Sequence, residues 1–124
     1  MSTIADRRDT RRIIVGPEFA IAFTLKGHNY RDVRITNIST GGCFALVGAR
    51  DGRLFERGAV LEGMVLLHPE LPKAPIMATV SYVLGARSGP DPMEMIGIGI
   101  QFLGVPDAAQ KALDTWVDAA SVTG

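Results

Sequence analysis

Apolar and polar residues alternate with a period of two through most of this chain, and that period predicts strands. Phe19-Ala20-Ile21-Ala22-Phe23-Thr24-Leu25 is a short apolar run rich in strand formers, closed by Lys26-Gly27-His28-Asn29. Gly27 and Asn29 are the residues expected to supply the positive φ of a tight hairpin there. Tyr30 to Ile38 then alternates, with Val33 and Ile35 on one face and Arg34 and Thr36 on the other. A polar turn, Asn37 to Gly42, leads into Cys43-Phe44-Ala45-Leu46-Val47. After a charged, glycine-containing loop (48–58), strands are predicted at Val60–His68, Ile76–Ala86 and Met95–Phe102, separated by stretches rich in proline.

The period changes near the end. Ala109, Leu113, Trp116, Val117 and Ala120 recur at i, i+4, i+7, i+8 and i+11. That stripe predicts a helix over about 107–121, with Asp107 as its cap and Gln110 at the third helical position. Its apolar side is expected to pack on the mouth of the sheet structure or on a partner. Six strands at short spacing followed by one helix give a mainly β fold, a small six-stranded antiparallel β-barrel, over residues 15–124. Residues 1–14 are polar and rich in arginine, with too little apolar surface to offset the entropy of ordering, and are expected to form a flexible arm.

Composition narrows the classes. The 124 residues suit one domain, 47% hydrophobic and 21% charged, with a formal net charge of zero. No global field draws in nucleic acid or an anionic membrane, and no apolar run approaches the roughly 20 residues that span a bilayer. A cytoplasmic protein without membrane insertion is expected. Cys43 is the only cysteine, which excludes an internal disulfide and a thiolate zinc site, and it is expected to be a buried small hydrophobe. His28 and His68 have no carboxylate or cysteine at triad or ligand spacing and are expected at the surface. Ile96-Gly97-Ile98-Gly99-Ile100 lacks the third glycine and the following helix of a nucleotide loop, so it reads as strand, with glycines relieving crowding. Asp91 and Glu94 are loop carboxylates without an evident partner. With no nucleophile–base pair, paired carboxylates or metal set, catalysis is not expected, and neither is a cofactor or a metal.

Charge is concentrated instead in Asp6-Arg7-Arg8-Asp9-Thr10-Arg11-Arg12. Guanidinium groups present a rigid fork of donors, bidentate to phosphate or to the O6/N7 edge of guanine, and their planes stack on bases. Arg8 and Arg12 are four apart and project to one side of a turn or helical stretch. Asn37-Ile38-Ser39-Thr40-Gly41-Gly42 adds short polar side chains near the backbone, with glycines that permit close approach and positive φ, and with N–H groups able to cradle an anion.

Together these segments resemble the PilZ domain family, whose signature is Arg-x-x-x-Arg followed some way on by Asp/Asn-x-Ser-x-x-Gly. Arg8-Asp9-Thr10-Arg11-Arg12 matches the first part and Asn37 to Gly42 the second. The Gly97–Phe102 strand and the closing helix are similar too, so the resemblance covers nearly the whole chain. It implies a barrel that binds the second messenger cyclic di-GMP, with the arm folding over the ligand. Arg8 and Arg12 would contact guanine and phosphate, and Asn37, Ser39, Gly41 and Gly42 would line the barrel side. Arg7, just before the motif, is the kind of residue that goes with two stacked ligand molecules. Asn37 in place of Asp is permitted in the family but loses a charge. The implied output is transmission to an effector protein, with homodimerisation left open. The alternative within the family is a protein adaptor, for instance in pilus assembly or motility, that binds no nucleotide. A barrel that binds nucleic acid through a basic arm is disfavoured by the zero net charge and few aromatics.

Overall fold

The computed structural model describes residues 12–48, 54–85 and 95–123, with side chains as far as 120. Arg7, Arg8, Arg11, Asp91 and Glu94 therefore lie outside the described residues, as does nearly all of the proposed arm. The strands are β1 (Ile13–Ile14), β2 (Ala20–Leu25), β3 (His28–Ile38), β4 (Gly42–Gly48), β5 (Val60–Leu67), β6 (Ile76–Leu84) and β7 (Met95–Gly104), followed by helix α1 (Asp107–Thr123). All pairings are antiparallel. The order β3-β2-β5-β6-β7-β4 returns to β3 through the β3–β4 pairing, which closes a six-stranded barrel and leaves those six strands no open edge. The seventh strand, β1, is the last pair of residues of the stretch expected to form the arm. It pairs with β3, Ile13 opposite Ile38 and Ile14 opposite Asn37.

Alternation places the core. Ile21, Phe23 and Leu25 of β2, Cys43, Ala45 and Val47 of β4, and Ile96, Ile98 and Ile100 of β7 all point inward and are buried. In β3 the expected Val33–Ile35 face is buried, and Arg34 is exposed. A bulge then shifts the phase, because Ile35 pairs with Ala45 but Asn37 with Phe44, so Thr36 is an extra residue. Without it, the two-residue period would turn Asn37 into the core; with it, Ile38 points inward instead and is fully buried.

The β2–β3 hairpin turns at Lys26 and Gly27, with φ of 50° and 83°. Both central residues of a tight two-residue turn need positive φ, so Lys26 takes the role expected of Asn29. Asn29 lies in β3 and accepts a hydrogen bond from the Thr24 hydroxyl at 2.7 Å.

Helix α1 starts differently from expectation. The Gln110 N–H donates to the Pro106 carbonyl at 2.8 Å, which makes Pro106 the capping position and Asp107 the first helical residue. The Gln110 side chain donates to Asp114 rather than reaching back to the helix start. Asp107 still favours the positive helix end through its charge. The stripe is as expected: Ala109, Leu113 and Val117 are buried, and Trp116 packs edge-on to Phe19 at 5.4 Å. His68 completes this cluster, 4.8 Å from Phe19 and 5.4 Å from Trp116. It is buried, contrary to the surface position expected for it, and its Nδ1 accepts from the Glu70 N–H at 3.1 Å. Proline-rich sequence after β5 tightens the chain at His68 and folds the ring under the helix, which local polarity does not reveal.

Candidate ligand-binding site

The polar turn between β3 and β4 is built around one hydroxyl. Ser39 N–H donates to the Gly42 carbonyl at 2.8 Å, closing the turn. Ser39 Oγ accepts from Gly41 N–H at 3.2 Å and lies 3.4 Å from the Gly42 carbonyl oxygen. Ser39 is 1% exposed, so its hydroxyl is committed to the shape of the turn. The turn is tied to the barrel as well, since Phe102 N–H donates to the Gly41 carbonyl at 2.9 Å.

Gly42 explains itself sterically. A Cβ built there would collide with the backbone carbonyl oxygen of Ile100 on the paired strand β7. Neither Gly41 nor Gly42 takes a positive φ. The positive φ expected of this glycine pair is thus absent, and at Gly42 the reason is close approach of two backbones.

Opposite the turn stands the other half of the site. Arg12 is exposed and its Nη1 donates to Asn37 Oδ1 at 2.7 Å. Asn37 Nδ2 in turn donates to Thr36 Oγ1 at 3.3 Å. The Thr36 bulge aims Asn37 outward, and β1, held by its pairing and by Val15 N–H on the Thr36 carbonyl at 3.0 Å, brings Arg12 to meet it. Two residues 25 apart in sequence are joined this way. Beneath them Cys43 is fully buried, and its thiol is pushed up to about 12 by burial, opposed by the positive charge of Arg12. This thiol is an inert part of the core at neutral pH.

Of the residues singled out in the sequence, the structure brings together Arg12, Asn37, Ser39, Gly41 and Gly42. Only Arg12 and Asn37 expose functional groups; Ser39, Gly41 and Gly42 shape the surface. Register adds neighbours that sequence reading did not single out. Asn37 pairs with Phe44, Phe44 with Gly99, and Gly99 with Tyr82, giving one outward row across four strands. Phe44 covers Gly97 and Tyr82 covers Gly99, with the two rings stacked at 6.0 Å, and this is the crowding the glycines relieve. The next outward row is Gly42, Gln101 and Thr79. Counting outward positions along β7 (Gly97, Gly99, Gln101) is the sequence signal that finds Gln101. Chemically, the site offers guanidinium donors, an amide with both hydrogen-bonding senses and a stiff backbone turn, all suited to a polar, anionic ligand. Among the described residues, no group of three or more His, Cys, Asp or Glu side chains is placed to hold a metal ion. No described helix is long and apolar enough to cross a membrane.

A closed six-stranded antiparallel barrel with a helix on its mouth, and a Ser–Gly turn facing an arginine, defines a recognisable class. The PilZ domain family model matches residues 6–119, and the chain belongs to that family. Among solved structures, it is similar to MrkH of K. pneumoniae in its apo state (23% identity, TM-score 0.76, covering 94% of this chain and 51% of that one). The MrkH complex with c-di-GMP is similar at 22% identity and a TM-score of 0.74, over 91% of this chain and 52% of that one. The PilZ domain of YcgR from Escherichia coli, with c-di-GMP, matches at 18% identity and a TM-score of 0.69, over 94% of this chain and 93% of that one. The chain thus spans about half the length of MrkH, which is described as a c-di-GMP-dependent transcription regulatory factor. No curated protein sequence matches it significantly.

Proposed function

We propose that this chain is a receptor for cyclic di-GMP, which reads the messenger through the Arg12–Asn37 rim and passes the signal to a partner protein. The observation that carries the reading is the 2.7 Å contact between Arg12 and Asn37, where the two halves of the motif meet. Family membership and the c-di-GMP complexes of MrkH and YcgR support it. In this reading the ligand takes over partners that the protein now satisfies internally. Arg12 leaves Asn37 and turns its fork to guanine or phosphate, while the Asn37 amide faces a guanine edge. Arg7 and Arg8 join from the arm, which becomes ordered around the ligand. The altered surface is then what an effector protein meets.

Calorimetric titration with cyclic di-GMP tests this. An Arg–guanine contact contributes about 1–3 kcal/mol, so Arg12→Ala should weaken binding roughly five- to hundred-fold. Arg8→Ala should do the same, with the fold intact in both. Wild-type protein that takes up no ligand, or variants with unchanged affinity, would dismiss the assignment.

One observation favours a second reading. The Ser39 hydroxyl and both ends of the Asn37 amide already have partners within the protein, so the rim holds its shape without ligand. A nucleotide-independent protein adaptor would be built this way, and capture of its partner would then be indifferent to added cyclic di-GMP.

A further inference from the structure

We infer that Gln101 is a base-contacting residue of the ligand site, holding the purine remote from Asn37; this rests on the nucleotide reading above. Gln101 is exposed and is the one polar side chain in the ten-residue strand MIGIGIQFLG. Its cross-strand partners are Gly42 on one side and Thr79 on the other. The Gly42 side presents no side chain, and can present none, because a Cβ there would meet the Ile100 carbonyl. The Thr79 hydroxyl is already donated to the Ala59 carbonyl at 2.9 Å. Among the described residues the Gln101 amide has no hydrogen-bond partner, so it stands beside the motif turn with donor and acceptor both open.

Its position relative to the turn is fixed. The neighbouring Phe102 N–H donates to the Gly41 carbonyl, and the β4–β7 register runs unbroken from Gly42 opposite Gln101 to Gly48 opposite Met95. Asn37 lies on the same outward surface, two strands away and one outward row further along. With strands about 4.8 Å apart and about 3.4 Å per residue, the two amides start from backbone positions about 12 Å apart. Strand side chains stand roughly perpendicular to the sheet, so the two amides face different parts of a bound ligand, within the span of a cyclic dinucleotide whose bases lie apart. A carboxamide suits a guanine edge, its oxygen accepting from N1–H or N2–H₂ while its NH₂ donates to O6. An exposed glutamine on a strand is ordinarily just solvated. What separates this one is its place beside a turn where the facing residue is forced to be glycine.

The test uses the whole chain, Gln101→Ala, and Lys111→Ala on α1 as a control. Gln101→Ala should bind cyclic di-GMP about three- to ten-fold more weakly than wild type, the loss expected for neutral hydrogen bonds. Its melting temperature should be unchanged, and Lys111→Ala should bind as wild type. In the wild type, the Gln101 side-chain amide resonances, assigned by their absence from the variant, should shift on titration with cyclic di-GMP. Affinity of Gln101→Ala within about twofold of wild type, or static amide resonances at saturation, would overturn the inference. If wild type binds and Arg12→Ala does not while Gln101→Ala is unaffected, only this inference fails. If wild type takes up no cyclic di-GMP, the nucleotide reading itself fails.

Discussion

Replacing Gly42 by alanine adds one methyl group, and the structure says where it must go. On a strand position with ordinary φ, the change from Gly to Ala would by itself stabilise by about 0.4–1 kcal/mol, because the unfolded chain loses freedom. Here the new Cβ meets the carbonyl oxygen of Ile100, a backbone atom of a strand paired on both sides, to β4 and β6. The obstacle cannot rotate away as a side chain would. Relief requires the start of β4 to move, which loosens the Ser39 N–H bond to Gly42 and the Phe102 N–H bond to Gly41. Overpacking of this kind costs about 1–3 kcal/mol. Two weakened hydrogen bonds add about 1 kcal/mol each.

The clash therefore outweighs the entropic gain, and a net loss of about 2–4 kcal/mol is expected for Gly42→Ala. For a chain of this size each kcal/mol moves the melting temperature by about 4 °C, so thermal unfolding followed by circular dichroism should fall by about 8–16 °C. Gly48→Ala is the matched control on the same strand, since a Cβ there meets nothing among the described residues and its φ is ordinary. That variant should melt about 2–4 °C above wild type, the entropic gain alone. A Gly42→Ala protein as stable as Gly48→Ala would refute the claim that backbone approach, rather than ligand contact, dictates glycine at this position.

His68→Ala should destabilise by about 1–3 kcal/mol, because it empties the space between Phe19 and Trp116 and leaves the Glu70 N–H without its acceptor. The near-ultraviolet signal of Trp116, the only tryptophan, should weaken with it, and an unchanged signal and stability would contradict the packing described. The Cys43 thiol, pushed from 9.0 up to about 12, should resist alkylation in the native state and react only as the chain unfolds. The unfolded state loses this proton at lower pH than the native state, so the contribution of Cys43 is fully present below pH 9.0 and is lost between there and about 12. In that window stability should fall by up to about 1.4 kcal/mol per pH unit, and Cys43→Ser denaturation curves that keep the same alkaline slope would assign it elsewhere. Asn37→Asp should tighten cyclic di-GMP binding. An exposed ion pair with Arg12 holds back about 0.2–1 kcal/mol, less than the about 1–3 kcal/mol that a charged acceptor can return on a guanine edge. Weaker binding in a titration would show that the arm contact dominates.

The barrel was legible because most of its strands obey a two-residue period and its helix a 3.6-residue one. Phe19–Leu25, the Val33–Ile35 face and the Ala109–Val117 stripe all lie where that pattern puts them. What was not legible depends partly on partners distant in sequence and partly on the exact geometry of turns and helix starts. His68 reads as a polar residue before a proline, and only the docking of α1 makes it part of the core. Lys26 falls in the expected turn, but the residue types there point to positive φ at Gly27 and Asn29, whereas the hairpin places it on Lys26 and Gly27. Asp107 has the right chemistry for a cap but sits one residue too late, because the Pro106 carbonyl is the one that meets Gln110. The site motif was readable in order and spacing. Its division of roles was not, because burial of Ser39 and the blocked flank of Gly42 follow from the β4–β7 register.

That division determines how the site should fail. Ser39, Gly41 and Gly42 act through the shape and attachment of the turn, so changes there should appear first as lost stability and only then as lost binding. Arg12 and Asn37 are held outside the core, one exposed and one half-buried, and their mutual hydrogen bond is worth little to a barrel closed by six paired strands. Changes there should leave the melting curve alone and alter affinity. The Thr36 bulge is the hinge between the two kinds of residue, because one extra residue in β3 lets Ile38 enter the core while Asn37 leaves it. Removing Thr36 would return Asn37 to the inward phase, where an amide without partners costs more than the arm contact ever contributes. The same local irregularity that interrupts the sheet is therefore what allows the proposed ligand-facing amide to stand on a fully closed barrel.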